Sequence, residues 1–200
     1  MNFLAHIFLS GDREEVIFGN FIADEIKGSN FQLFKPGVIQ GIRLHREIDH
    51  YTDHHPLFRQ SKARLVPKYR IYSGIIVDIY YDHFLARNWR EYSNESLAEY
   101  THRAYGILIR RYPLLPGRSK RILPFMIAQN WLVGYSRLPD LRRVFQGMSR
   151  RTGNSTGMEH AVDDLEADYA LYEAEFRAFF PQLAAHAGNY RSLLSGESPF

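Results

Sequence analysis

The chain has 200 residues, 45% of them apolar and 14% aromatic, so it can bury a core of its own and is not a disordered segment. It contains no cysteine, which excludes disulfides, thiolate nucleophiles and thiolate metal sites together, and leaves His, Asp, Glu and water to hold any metal. The net charge of +3 is unevenly spread: Arg103 to Arg151 carries eleven Lys and Arg against the single acid Asp140, and Glu159 to Glu175 carries seven acids and no Lys or Arg.

Met1 to Leu9 is apolar, but it is short, lacks a basic leader and runs into Asp12, Glu14 and Glu15. It reads as part of the fold and not as a signal peptide, and no segment is long enough to span a bilayer. A cysteine-free, non-membrane chain is expected in the cytoplasm. Two residues of this region are candidates for chemistry. His6 stands in an apolar stretch and Asp24 follows Gly19-Asn20. The plain alternatives are a satisfied core histidine and a helix cap.

Helical periodicity dominates from there on, and strand alternation is nearly absent. Pro36 and Gly37 open a helical segment to about His55, closed by Pro56. A second runs from about Ile71 to Trp89. A third follows Ser93 as N-cap, carries Leu97, Tyr100, Ala104, Ile107 and Leu108 on one side, and ends before Pro113. Another covers Ile122 to Tyr135, with Pro124 in its first turn. Gly147 to Gly157 reads as a mobile loop. The last long helix starts near Met158 and stops at Pro181, with Val162, Leu165, Tyr169, Tyr172, Phe176 and Phe179 as one packing stripe. The expectation is an all-α helical bundle in one domain spanning residues 1–200.

Two helices carry the strongest chemical signals. In the first, His45, Asp49 and Asp53 stand at i, i+4 and i+8 and share a face. Imidazole and carboxylates on one stripe can ligate a divalent ion, or they can form local pairs on a surface helix. In the second, Ile75 to Ala86 is apolar nearly all round, yet holds Asp78 and Asp82 one turn apart. Buried carboxylates on one face need a positive partner, because an unpaired one is costly. That partner is a metal ion, a histidinium, or an arginine, with Arg43, Arg46 and Arg87 as candidates. His and Asp donors thus come from four segments, a set suited to manganese, magnesium or iron.

The pieces Met1-Asn-Phe-Leu-Ala-His6, Gly19-Asn20-Phe-Ile-Ala-Asp24, Gly41-Ile-Arg-Leu-His45-Arg46-Glu-Ile-Asp49, Tyr51-Thr-Asp53-His-His55-Pro56, Val77-Asp78-Ile-Tyr-Tyr-Asp82-His83-Phe-Leu85 and Gln129-Asn-Trp-Leu-Val-Gly-Tyr135 give the chain a familiar look. From residue 1 to about 180 it resembles the acyl carrier protein phosphodiesterase family. The resemblance implies a distant relative of the all-helical HD phosphohydrolases, although this chain has Asp-His pairs and no His-Asp pair. It implies hydrolysis of the phosphodiester between 4'-phosphopantetheine and the serine of holo acyl carrier protein. Manganese is the implied ion, with magnesium or iron as substitutes. On this reading Asp24, His45, Asp49 and Asp78 are the metal ligands, with His6 and Asp82 next. Arg46 clamps the phosphate unless it pairs with Glu47 or Asp49, Asp53 orients a ligand histidine, and His83 donates a proton unless it is a core histidine. The acidic carrier would dock on the basic stretch from Arg103 to Arg151, unless that stretch and the acidic one offset each other as solvated helix faces. No nucleic-acid or membrane partner is expected. The rival readings are a helical nucleotidase, a nucleic-acid-binding module using Arg142, Arg143, Arg150 and Arg151, and an inactive scaffold with arginine-paired carboxylates.

Overall fold

The computed structural model describes residues 1–28, 30–153 and 156–196. It is all-α. The helices are α1 (Phe3–Leu9), α2 (Glu14–Ile22), α3 (Pro36–His54), α4 (Pro56–Tyr69), α5 (Ser73–Arg87), α6 (Leu97–Arg110), α7 (Gly117–Ala128), α8 (Trp131–Gly134), α9 (Leu138–Arg151), α10 (Ala161–Ala167) and α11 (Tyr169–Ser195), and the described residues contain no strand. None of these helices is long and apolar enough to cross a membrane.

Helix α5 forms the centre. Ile76, Val77, Ile79, Tyr80, Tyr81, Phe84 and Leu85 are all buried, as its all-round apolar sequence requires. Helices α1, α4 and α11 pack against it. The stripe of α11 supplies Tyr172, Phe176, Phe179 and Phe180, all buried, and Tyr81 meets Phe176 edge-on at 5.5 Å between ring centres. Each such aromatic removes a large apolar area from water and adds about 0.5–1.5 kcal/mol through ring geometry.

Several boundaries differ from the sequence expectation, each for a local reason. The N-cap of α6 is Ser96, not Ser93: its hydroxyl accepts from the Glu99 N–H, and the Glu99 carboxylate accepts from the Ser96 N–H. The segment from Ile122 to Tyr135 is two helices. Asn130 enters the left-handed region at φ +46° and separates them, a conformation asparagine tolerates better than most residues. Pro124 consequently lies inside α7. The last long segment breaks at Asp168, whose carbonyl accepts from both Leu171 and Tyr172 and so starts a new helix. That helix passes through Pro181 to Ser195, because Leu183 and Ala187 continue the buried stripe beyond the proline. Residues 147–151 of the expected loop belong to α9, and Asn154 and Ser155 at its centre lie outside the described residues.

Six of the eleven bases from Arg103 to Arg151 are met by acids among the described residues. Arg142 pairs with Asp163 at 2.6 Å and Glu166 at 3.1 Å, Arg137 and Arg143 share Asp140, and Arg110 and Arg111 share Glu14. Through Arg142, helix α9 is joined to the acids of α10, so the basic and acidic stretches partly offset each other, while Arg150 and Arg151 at the end of α9 make no ion pair among the described residues.

Candidate metal centre

Helices α2 and α3 touch backbone to backbone. A Cβ on Gly19 would stand 2.1 Å from the Val38 carbonyl oxygen, and one on Gly41 would stand 2.2 Å from that of Val16. Only glycine permits this approach. It brings Asn20, next to Gly19, against His45, one turn after Gly41.

Asn20 is fully buried and completely satisfied. Its Nδ2 donates to the His6 carbonyl at 3.0 Å and to Ser10 Oγ at 2.9 Å, while Ser10 Oγ itself donates to the His6 carbonyl at 2.8 Å. Because a carbonyl can only accept, the amide cannot be reversed, and Oδ1 faces His45 Nδ1 at 2.9 Å. His45 Nδ1 therefore carries the hydrogen. Its Nε2 points the other way, 3.1 Å from Asp24 and 3.1 Å from Asp49. His6, on α1, stacks on His45 with ring centres 4.0 Å apart and places its own Nε2 3.1 Å from Asp49. Nδ1 of His6 is buried and has no partner among the described residues.

Two imidazole nitrogens and the Asp49 carboxylate thus come within 4.8 Å of one another. The electrostatics agree with a place made for positive charge. Burial alone would lower the pKa of His45, but the hydrogen bonds to Asp24 and Asp49 outweigh it and raise the value to about 9. His6 goes the other way, lowered to about 4 by burial and by the neighbouring His45. Asp49 is held well below the usual carboxylate range, since its bonds to His45 and His6 overcome the cost of burial. Asp24 is lowered chiefly by its bond to His45. A proton on His45 Nε2 offsets the carboxylates here, and a divalent ion held by the same nitrogen and oxygen atoms fits that charge and donor set. Asp24 is exposed, so the group opens to solvent on its side.

The other sequence candidates are placed as follows. Asp78 accepts from the α-ammonium of Met1 at 2.8 Å, and that ammonium lies 3.8 Å from Asp49. The positive partner of Asp78 is therefore the Met1 ammonium and none of Arg43, Arg46 or Arg87. Burial raises Asp78 and the ammonium lowers it, with a net rise. Asp82 is turned to the start of α1, where it accepts from the N–H groups of Asn2, Leu4 and Ala5 at 3.3, 2.7 and 3.3 Å. It satisfies the otherwise orphaned donors of that helix. Burial raises its pKa to about 7.

Arg46 donates to the carbonyls of Ile26 at 2.8 Å and Gly28 at 3.1 Å and lies over the Phe31 ring, so it straps down the chain that follows Asp24. Asp53 is exposed, one turn past Asp49, and its carboxylate makes no hydrogen bond or ion pair among the described residues. Asp53 was expected to orient a ligand histidine; His45 is oriented by Asn20. His83, one residue past Asp82 and so about 100° further round α5, faces elsewhere: its Nδ1 meets the Tyr135 carbonyl at 2.7 Å and its Nε2 the Tyr169 hydroxyl at 2.8 Å. Sequence reasoning missed Asn20. The available signal was a lone amide in the apolar run Val16 to Ile22, since a buried amide is nearly always paired.

The comparisons with known proteins point one way. The family model described as acyl carrier protein phosphodiesterase matches residues 1–183. A protein of Serratia proteamaculans named acyl carrier protein phosphodiesterase is 32% identical over 188 residues, covering 94% of this chain and 97% of its own. Proteins of the same name from Photorhabdus laumondii and Yersinia enterocolitica are 33% and 31% identical, each over 94% of this chain and 96% and 97% of their own. No solved structure matches the chain.

Proposed function

The chain belongs to the acyl carrier protein phosphodiesterase family, and we propose that it cleaves 4'-phosphopantetheine from holo acyl carrier protein with the aid of a divalent ion. The observation that carries this reading is the meeting of His6, His45 and Asp49, with Asp24 beside them, at a point where one proton now offsets the carboxylates. Manganese is the ion we assign, with magnesium or iron as substitutes, because imidazole and carboxylate donors without sulfur suit these ions.

When bound, the ion supplies Lewis acidity, which neutralises charge on the phosphodiester and makes a water more acidic. The residues do the rest. His6 Nε2, His45 Nε2 and the carboxylates of Asp49 and Asp24 would hold it. Asn20 keeps His45 in the tautomer whose Nε2 is free to bind. Asp78 lies beyond Asp49, joined to it through the Met1 ammonium, which offsets its charge. Arg46 fixes the chain after Asp24, and the donors of its guanidinium not spent on Ile26 and Gly28 can meet a phosphoryl oxygen. Water adds to phosphorus, the bond from phosphorus to the serine oxygen breaks, and that oxygen takes up a proton. The products are the carrier's serine hydroxyl and 4'-phosphopantetheine. The kinship with HD phosphohydrolases and a cytoplasmic setting belong to the same reading.

The test is mass spectrometry of holo acyl carrier protein incubated with the purified protein. Loss of the phosphopantetheine mass, its abolition by chelator and its return with manganese are expected. Asp49→Asn should stop it while leaving the helical circular dichroism intact. A folded protein that releases nothing with manganese, magnesium or iron would overturn the reading. Release from a panel of nucleotides in place of the carrier would favour the nucleotidase alternative.

A further inference from the structure

A second cavity, of about 850 Å3, opens between the C-terminal end of α5, the first turns of α9 and the start of α11. None of His6, Asp24, His45, Asp49 or Asp78 lines it. Its size falls in the range of small-molecule sites, roughly 300–1,000 Å3.

The chemistry of the wall is selective. Three arginines, Arg87, Arg137 and Arg143, face two acids, Asp140 and Glu173. Asp140 takes both Arg137, at 2.6 Å, and Arg143. Glu173 accepts from Asn88 at 2.9 Å and from Arg177 at 3.2 Å. Both acids are thus already met. Arg87 is exposed and makes no hydrogen bond or ion pair among the described residues, so its guanidinium adds a positive charge to the one left over where Arg137 and Arg143 share Asp140. Arg143 is also exposed, and Asp140, shared with Arg137, leaves most of its donors open.

Behind the arginines the wall is ordered. The Tyr135 carbonyl can only accept, so His83 donates from Nδ1, and the Tyr169 hydroxyl must donate to His83 Nε2. The Tyr169 oxygen is left as an acceptor at the cavity. Leu138, Pro139 and the Tyr169 ring add apolar surface. The cavity therefore combines unspent guanidinium donors, one fixed acceptor and an apolar wall.

We propose that this cavity binds an organic phosphomonoester, its phosphoryl oxygens on Arg87 and Arg143 and its organic part against Leu138, Pro139 and Tyr169. A phosphoryl group offers bidentate edges to more than one guanidinium, whereas a carboxylate offers one. Its singly protonated form also has an O–H for the Tyr169 oxygen. The site is separate from the candidate metal centre and does not depend on the function assigned there.

The experiment is calorimetric titration of the whole chain with phenylphosphonate, a stable phosphomonoester analogue, beside inorganic phosphate and benzoate. Saturable binding of phenylphosphonate is expected, with inorganic phosphate and benzoate weaker. Arg87→Gln, a change at an exposed position, should weaken phenylphosphonate about tenfold or more, the loss of a charge-assisted pair. Asp49→Asn should leave the affinity unchanged. The proposal falls if phenylphosphonate does not saturate, if Arg87→Gln binds it like the parent, if Asp49→Asn removes the binding, or if benzoate binds as well.

Discussion

Replacing Asn20 by alanine strikes the candidate metal centre without touching a group that would contact the ion. The loss is unequal among its three partners. Ser10 Oγ still donates to the His6 carbonyl, so that acceptor stays satisfied. His45 Nδ1–H, buried, loses its one acceptor. An orphaned buried donor costs about 1–3 kcal/mol, and that is the expected fall in stability of the metal-free protein in urea denaturation. The second effect is on the ion. With Asn20 gone, nothing favours the Nδ1–H tautomer or holds the ring in its plane, and loss of such an orienting partner costs about 10–100-fold in metal affinity. Manganese titration by calorimetry reads the second effect, and nitrogen-15 spectra of the imidazoles read its cause. Asn20→Asp, which keeps an acceptor toward His45, should retain the tautomer that Asn20→Ala loses. If Asn20→Ala binds manganese as the parent does, with His45 still protonated on Nδ1, the assignment of Asn20 as the positioning residue is wrong.

Gly41→Ala should give little folded protein or a fall in stability of several kcal/mol, because its Cβ meets the Val16 carbonyl and the neighbouring backbone of α2 rather than a movable side chain; normal melting would refute it. The pH dependence follows from His45. Its folded pKa of about 9 lies above the ordinary 6.5, so its protonated form contributes stability fully below about pH 6.5 and progressively less as pH rises through about 9. An ion on Nε2 displaces that proton, so the gain in denaturation midpoint from saturating manganese should grow with pH between 6.5 and 9, and a gain independent of pH would count against His45 as a ligand. Reversing Arg142 to Glu should lower the thermal midpoint, since it sets a third acid beside Asp163 and Glu166, and should leave hydrolysis of the carrier nearly unchanged. A selective loss on the carrier would restore this arginine to the docking surface.

Much of this was written in the sequence in the form of period and type. The spacing of His45, Asp49 and Asp53 placed them on one face of α3, and the apolar surround of Asp78 and Asp82 marked α5 as buried. What period cannot reveal is direction. Asp78 and Asp82 share a face of α5, yet Asp78 reaches an ammonium while Asp82 reaches backbone N–H groups, because α1 begins against that face. The Met1 ammonium itself carries no side-chain signature, so a metal ion, a histidinium or an arginine were the partners that the sequence could suggest. Breaks within helices were hidden for a similar reason. The apolar pattern runs on past Asn130 and Asp168, and only the backbone conformation at these residues separates the pieces. Pro181 did the reverse: it signalled a stop that the buried residues after it overrode.

The contact at Gly19 and Gly41 also bears on how the protein loosens. Most helix pairs meet through side chains, which have rotamers and can repack when a neighbour changes. Here two main chains are the contact, and main chains have no rotamers. The spacing of Asn20 and His45 is set by the thickness of two helices and by nothing softer. Mutations elsewhere in the core should therefore change how readily the whole molecule unfolds long before they change the shape of the centre. Amide exchange at Asn20 and His45 should follow global opening and not a local one. The Asn20–His45 pair should therefore be lost only when the molecule as a whole opens.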